Sequence, residues 1–195
     1  MLADSAGRHV VLVSGPPAAG KSAIAGPLAA ELGFALIAKD RIKETLHDAL
    51  GHPAEADIEW SGRLGAAAME LLWALAADAP AVVLDANFWP DDPRPPARLR
   101  ALSAEPVEVH CQCPVSDCMR RYADRAPSRH PVHADVVRTV AEEAFARSAR
   151  PMALGPVIAV DTTRPVNIQA VAADVRRVLR VGQPLASRGG ESVSA

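Results

Sequence analysis

Short apolar runs alternate with longer amphipathic segments along this chain. Five runs have the length and β-branched content of buried strands, and segments of helical periodicity fill the intervals. This alternation is typical of an α/β domain in which helices cover both faces of a parallel sheet. The predicted strands are His9–Ser14, Phe34–Ala38, Ala81–Asp85, Val107–Cys111 and Pro156–Val160. The predicted helices are Lys21–Leu32, Arg41–Leu50, Ala54–Ala77, Pro95–Ser103, Val115–Ala126, Ala134–Ser148 and Asn167–Arg180.

The length of the chain fits one domain followed by a short tail. Its 195 residues, 49% of them hydrophobic, are enough to bury one core. From Gly182 onward, glycine and serine are frequent and large apolar residues are rare, which is typical of a flexible segment. We therefore predict a folded domain over residues 1–181 and a flexible tail over 182–195.

The turn after the first strand carries a phosphate-binding motif. Residues 15–22 read GPPAAGKS and match G-x-x-x-x-G-K-[ST], the P-loop or Walker A sequence. Small residues let the backbone N–H groups of such a loop approach phosphates closely. We expect Lys21 to reach the β- and γ-phosphates of ATP, where it would also assist transfer, and Ser22 to offer its hydroxyl to Mg²⁺. The candidate nucleotide-binding residues are Gly15, Pro16, Pro17, Ala18, Ala19, Gly20, Lys21 and Ser22.

Aspartates follow two other predicted strands. Asp85 ends the run VVLD, where its carboxylate would lie beside the P-loop and could hold Mg²⁺; the alternative is an ordinary cap of the next turn. Asp40 ends FALIAKD at the same sheet edge, where a carboxylate could accept the proton of an attacking alcohol. The alternative for Asp40 is the N-cap of the following helix, and the two roles are compatible.

A basic segment between two predicted helices suggests a lid. Arg121 and Arg125 are four residues apart and share one helix face, and Arg129 follows in the turn APSRHPVH. A guanidinium can stack on adenine or clamp a phosphate, and a mobile flap can deliver that charge when substrate is bound. We predict that Arg121 and Arg125 contact the nucleotide and that Arg125 and Arg129 neutralise charge during transfer. The alternative is a solvated helix face.

Other residues narrow the class of P-loop protein. The N-K-x-D segment of guanine-specific proteins and the Ser-Gly-Gly signature of transporter ATPases do not occur, and an unfoldase needs a larger module with a helical lid. A small kinase remains. The chain resembles the AAA-type ATP-binding kinases grouped around zeta toxins, chloramphenicol phosphotransferase and the kinase domain of polynucleotide 5′-hydroxyl kinase. The resemblance spans about residues 10–160 and rests on GPPAAGKS, KDRIKETL, VVLDANF and the R-x-x-x-R helix.

This resemblance implies a three-layer P-loop NTPase fold with a five-stranded parallel sheet of order 2-3-1-4-5. It also implies that the aspartate after the second strand, here Asp40, is the general base, and that lid arginines, here Arg121 and Arg125, contact ATP. We therefore expect a phosphotransferase that uses ATP and Mg²⁺ and moves the γ-phosphate to a hydroxyl of a small molecule. A polynucleotide 5′-hydroxyl kinase and a non-catalytic ATP-binding sensor are the alternatives.

The expected partners follow from charge and hydropathy. A formal charge of −2 disfavours nucleic acid without excluding it, and the longest apolar region, 66–79, is too short to cross a membrane. Residues 54–69, with Trp60, and residues 87–94, with Trp89, are the candidate acceptor segments, although a tryptophan at such a position more often belongs to the core. The acceptor itself and the oligomeric state have no signal in the sequence.

Cysteine and histidine residues offer weaker signals. Three closely spaced cysteines, Cys111, Cys113 and Cys118, favour a reducing, cytoplasmic setting, and the N-terminus has no signal-peptide pattern. With His110 they could suggest zinc, but no second pair of ligands follows, so we expect no zinc there. His130 and His133 are predicted to be solvated residues of the lid turn.

Overall fold

A parallel sheet of five strands organises the computed structural model, which describes residues 8–51, 58–103, 105–133 and 142–179. The strands are β1 (His9–Ser14), β2 (Ala35–Ala38), β3 (Ala81–Asp85), β4 (Val107–Gln112) and β5 (Val157–Asp161). Their order is β2-β3-β1-β4-β5, and every neighbouring pair is parallel. The predicted α/β class and the order 2-3-1-4-5 are confirmed.

Helices connect the strands on both faces of the sheet. They are α1 (Lys21–Leu32), α2 (Lys39–Leu50), α3 (Ile58–Asp78), α4 (Arg94–Leu102), α5 (Val115–Arg125), α6 (Glu142–Arg147) and α7 (Ile168–Leu179). Two 3₁₀ turns, Ala126–Ser128 and Pro131–His133, follow α5. The predicted helical residues 54–57 and 134–141 and the predicted tail 182–195 lie outside the described residues, so the domain boundary at 181 stays a prediction.

The core lies on both sides of the central strand β1, because its side chains alternate between the two faces. Val11 and Val13 pack with residues of α1, α6 and α7 on one face. Val10 and Leu12 pack with residues of α3 and α4 on the other face. All four valine and leucine side chains are fully buried, which is why this strand is a continuous apolar run in the sequence.

The strand register gathers polar residues at the carboxyl edge of the sheet. Asp85 is paired with Val13 of β1 on one side and with Ala38 of β2 on the other. The P-loop starts two residues after Val13, and Asp40 lies two residues after Ala38. The topology therefore places the loop and the two aspartates side by side.

No helix within the described ranges has both the length and the apolar character needed to cross a membrane.

Candidate active site

The P-loop between β1 and α1 has a backbone that only small residues can form. Gly15, Ala18 and Gly20 have φ angles of 131°, 60° and 91°. A Cβ atom added to Gly15 would lie 2.6 Å from the carbonyl oxygen of Cys111, so the loop packs directly on β4. Left-handed residues at 18 and 20, just before α1, give the N–H groups the concave arrangement that suits anions.

Lys21 folds back over this loop. Its ammonium donates hydrogen bonds to the carbonyl oxygens of Gly15 at 2.9 Å and Pro16 at 2.8 Å. The side chain is buried, and burial lowers its pKa, while the charge of Asp85 acts in the opposite direction. The lysine is therefore held at the mouth of the loop, where an entering phosphate would meet it.

Ser22 and Asp85 form a pair of oxygen donors beside the lysine. The Ser22 hydroxyl donates a hydrogen bond to the Asp85 carboxylate, which is 7% exposed at the end of β3. Burial raises the pKa of Asp85, and the Ser22 hydrogen bond and the Lys21 charge only partly oppose this effect. A buried carboxylate next to a hydroxyl is a donor set that Mg²⁺ prefers, so these residues fit the predicted metal.

Asp40 lies in the first turn of α2, because the helix begins at Lys39 and its N-cap is Ala38. The alternative N-cap role of Asp40 is therefore wrong. Its carboxylate accepts a hydrogen bond from Arg129 Nη2 at 2.5 Å and lies 3.8 Å from Lys39 Nζ. Burial alone would raise the pKa of Asp40, but the charges of Lys39, Arg129 and His133 outweigh it and hold the pKa below its usual value. The carboxylate is ionised at neutral pH.

The lid arginines approach the same site from α5 and the turn that follows it. Arg121 donates to the carbonyl oxygen of Thr162 at 3.2 Å, and the guanidinium of Arg125 lies 5.2 Å from the ring centroid of Tyr122. Both side chains line the cleft that contains Lys21, as does Arg129. The structure thus brings the predicted lid residues together with the P-loop, and they do not form a solvated face.

The two lid histidines differ from prediction. His133 is buried, and its Nε2 lies 2.7 Å from the Glu44 carboxylate and 3.3 Å from Arg129 Nη2. His130 Nε2 lies 3.1 Å from the Asp48 carboxylate. They are therefore docked on α2, and the prediction of solvated turn residues is wrong. Glu44 and Asp48 are four residues apart and share one face of α2, but only the structure shows that this face meets the two histidines.

The cleft has a volume of about 870 Å³ and joins the P-loop, both aspartates and the lid arginines. Leu36, Asn87 and Trp89 also line it. The Arg147 guanidinium lies 5.1 Å from the Trp89 ring, whereas Phe88 belongs to the core. None of the described residues 58–69 lines this cleft, whereas Asn87 and Trp89 of the second predicted acceptor segment do, so acceptor contacts from 58–69 stay a prediction. Residues 54–57 lie outside the described residues.

A buried polar cluster supports the P-loop from β4. Glu108 is fully buried and accepts hydrogen bonds from the Ser14 hydroxyl and from the backbone N–H groups of Met152, at 2.9 Å, and Ala153, at 2.8 Å. His110 Nδ1 lies 2.8 Å from the same hydroxyl. Because Ser14 immediately precedes Gly15, this cluster ties the start of the loop to the segment that enters β5.

The cysteines contribute packing at this edge. Cys111 and Cys118 are fully buried, and burial raises the pKa of both thiols to about 12. A thiol with such a pKa is a poor nucleophile and a poor metal ligand at neutral pH. The Cys111 backbone and Cβ instead form the surface against which Gly15 packs.

Comparison with known families supports this geometry. The profile of a family described as AAA domain (AAA_33) matches residues 10–151. This chain belongs to that AAA-domain family. The match extends from β1 through the P-loop, Asp40, Asp85 and the lid arginines. A comparison with curated proteins finds no match.

Solved structures share the fold of this AAA-domain protein. A candidate kinase from Chloroflexus aurantiacus is 27% identical, with a TM-score of 0.72 over 88% of this chain and 98% of its own. The APS kinase of Mycobacterium tuberculosis, in complex with AMPPNP and APS, is 20% identical, with a TM-score of 0.55 over 90% of this chain and 99% of its own. The shikimate kinase of Acinetobacter baumannii, in complex with shikimate, is 14% identical, with a TM-score of 0.53 over 89% and 94%. The fold is therefore that of P-loop kinases.

Proposed function

We propose that this AAA-domain protein is an ATP-dependent kinase that transfers the γ-phosphate of MgATP to a hydroxyl group of a small molecule. The observation that carries the proposal is the cleft in which the P-loop, Asp85, Asp40 and the lid arginines face one another. Phosphoryl transfer requires little more than in-line positioning and neutralisation of charge, and this cleft holds residues suited to both.

The nucleotide end of the cleft is assigned to Gly15–Ser22 and the lid. When MgATP is bound, ATP supplies the phosphoryl group and Mg²⁺ shields part of the phosphate charge. The backbone N–H groups of the loop and the Lys21 ammonium would hold the phosphates, and Ser22 and Asp85 would hold Mg²⁺. Arg121 and Arg125 would contact the nucleotide from the lid side, as their positions along the cleft allow.

Asp40 is the proposed general base. It is ionised at neutral pH, and it lines the same cleft as the P-loop residues and Trp89. An acceptor hydroxyl that reaches the carboxylate could give up its proton there while it attacks the γ-phosphorus. The acceptor has to share or replace the hydrogen bond that Arg129 makes to Asp40, and the guanidinium could then turn toward the phosphoryl group and neutralise its charge.

A small acceptor is the form of the proposal that the observations favour. The kinases that share the fold are named for shikimate, APS and, in a further structure from Sinorhizobium meliloti, gluconate. The formal charge of −2 gives no general attraction for a polynucleotide backbone. Membership of the group around zeta toxins and chloramphenicol phosphotransferase, and a cytoplasmic location, remain predictions from the sequence.

The test combines an acceptor screen with one substitution. ADP release is measured with MgATP and a panel of sugars, nucleosides, hydroxylated antibiotics and oligonucleotides, and the phosphorylated product is identified by mass spectrometry. Asp40→Asn should lower kcat by about 10²–10⁴-fold, the usual contribution of a general base. Its affinity for MgATP, measured by titration calorimetry, should change little. Asp78→Asn, at an exposed position ending α3, is the matched control and should leave both quantities unchanged.

The outcomes separate the three functions. Phosphorylation of a small hydroxyl compound that depends on Asp40 supports the proposal. Preferential, salt-sensitive phosphorylation of oligonucleotides would replace it by a polynucleotide kinase. Binding of MgATP with no phosphorylated product from any acceptor, and with the same rate of ADP release in Asp40→Asn as in the wild type, would overturn it in favour of a nucleotide sensor.

A further inference from the structure

A cluster of two histidines and an aspartate joins the lid turn to α2. His47 and Asp48 lie in the last turn of α2, and His130 lies between the two 3₁₀ turns of the lid. One ligand atom from each residue can be chosen so that all three lie within 4.8 Å of one another. The kinase function proposed above uses none of these three side chains.

The distances within the cluster match those of a metal site. Nitrogen and oxygen ligands lie about 2.0–2.1 Å from Zn²⁺, which places two ligands of a tetrahedron about 3.4 Å apart. Asp48 Oδ1 lies 3.3 Å from His47 Nδ1 and 3.1 Å from His130 Nε2. The carboxylate oxygen therefore already has the spacing of a shared coordination sphere with each histidine. The two imidazoles are nearly perpendicular, with a ring nitrogen of each within 4.8 Å of the other, so these nitrogens would have to approach by up to about 1.4 Å to reach that spacing.

Burial in the cluster is graded in a way that suits entry of an ion. The His47 side chain is 8% exposed, His130 is 25% exposed, and Asp48 is 67% exposed. An ion could therefore arrive from solvent on the carboxylate side. Coordination by His130 Nε2 requires the proton of this imidazole to move to Nδ1, which breaks the hydrogen bond that Nδ1 accepts from the Val132 N–H at 3.2 Å. Neutral imidazole and carboxylate are the ligands that zinc-class ions take in sites with three protein ligands, where water completes the coordination.

We propose that His47, Asp48 and His130 bind one transition-metal ion of the zinc class, with water at the remaining position, and that this ion fastens the lid turn to α2. Arg129, the residue immediately before His130, is hydrogen-bonded to Asp40. Fixing His130 therefore also fixes Arg129 over the proposed base, and the bound ion would slow turnover. This last consequence rests on the proposed function, whereas metal binding does not.

Metal binding is tested on the full chain without a histidine tag and without nucleotide. Zn²⁺ is titrated by competition with a chromophoric chelator, and Co²⁺ is used to record the visible absorption of a tetrahedral site. We expect one ion per chain. His47→Ala and His130→Ala should each weaken the affinity at least about 10–100-fold, the loss that removal of even an outer-shell partner causes. His9→Ala, at a histidine on β1, is the control and should bind as the wild type does.

A second measurement separates a site from a fold defect and reports on the lid. Hydrogen exchange, followed by mass spectrometry, should show that Zn²⁺ protects residues 126–133 in the wild type and in Asp78→Asn. The protection should be lost in Asp48→Asn, which retains the size of the side chain and removes the charge. Unchanged far-UV circular dichroism of each variant ensures that the fold is intact.

Three results would overturn the proposal. They are unaltered affinity in both His47→Ala and His130→Ala, equal loss in His9→Ala, and binding that depends on His133 rather than His130. If Zn²⁺ binds as expected but leaves kcat unchanged, the site stands and only its effect on the lid is wrong. If no acceptor is ever phosphorylated, the proposed kinase function fails while the metal titration still decides the site.

Discussion

The close contact between Gly15 and β4 predicts a large and specific effect of Gly15→Ala. The new Cβ would lie 2.6 Å from the Cys111 carbonyl oxygen and 3.0 Å from its Cβ, and neither atom belongs to a flexible side-chain end. The backbone at φ 131° is also a conformation that alanine rarely adopts. Strain of this kind costs about 1–3 kcal/mol, and forcing an extra methyl group into a packed site costs about 1–3 kcal/mol more.

These two terms set the expected loss at about 2–6 kcal/mol in the free energy of unfolding. One kcal/mol moves the Tm of a domain of this size by about 2–4 °C, so Tm should fall by at least about 4 °C. Relief of the clash requires the loop to move away from β4, which changes the positions of the N–H groups that would hold the phosphates. Affinity for MgATP should therefore fall as well.

The stability of each variant is measured by urea and thermal unfolding, and its affinity for MgATP by calorimetric titration. Two other glycines provide matched controls. A Cβ on Gly155 would overlap the Pro106 carbonyl oxygen, but at the opposite edge of the sheet, so Gly155→Ala should lose stability and keep its affinity. A Cβ on Gly62, within α3, would meet nothing within 4 Å, so Gly62→Ala should gain about 0.5–1 kcal/mol. If Gly15→Ala is as stable as Gly62→Ala, the packing argument is refuted.

Three further predictions concern the surroundings of the loop. Glu108→Gln leaves at least one buried backbone N–H without its acceptor, so the free energy of unfolding, measured in urea, should fall by about 1–3 kcal/mol. The control is Glu70→Gln, in an exposed ion pair, which should change it by less than about 0.5 kcal/mol. Arg129→Ala removes one of the charges that depress the pKa of Asp40, so the acid limb of kcat/KM should move to higher pH; an unmoved limb would contradict the assignment of the base. In native protein at pH 8, Ellman's reagent should find one fast thiol, Cys113, because Cys111 and Cys118 are buried and their pKa, raised from 9.0 to about 12, leaves them about a thousand-fold less thiolate than an unshifted thiol has.

Much of the fold could be predicted because its signals are local. The buried strands are runs of apolar residues, and their bounds agree with the structure to within about two residues, which is the usual uncertainty of such assignments. The P-loop can be predicted from the spacing of its two glycines, lysine and serine, because this motif between a strand and a helix is typical of phosphate binding. Asp85 follows from its place at the end of β3.

The lid arginines could be predicted, but the docking of the lid turn on α2 could not, because its contacts are made across a large separation in sequence. The bond between Arg129 and Asp40 joins residues 89 positions apart, as does the contact between His133 and Glu44. Periodicity describes which face of an element is apolar, and it gives no information about which polar turn docks on which helix. Asn87 and Trp89, from the predicted acceptor segment 87–94, do line the cleft, whereas Leu36 of β2 was not predicted there because nothing local marks it.

The hydrogen bonds of Lys21 have a consequence for how a ligand is captured. The loop is already curled around the ammonium group, with two of its carbonyl oxygens as acceptors. An arriving phosphate then finds a preorganised cradle, so little chain entropy is lost on association. It exchanges places with those oxygens as the acceptor for the lysine. Capture by this loop is in that sense a ligand-exchange event, and its selectivity for anions derives from how much better a phosphate accepts these bonds than a peptide carbonyl does.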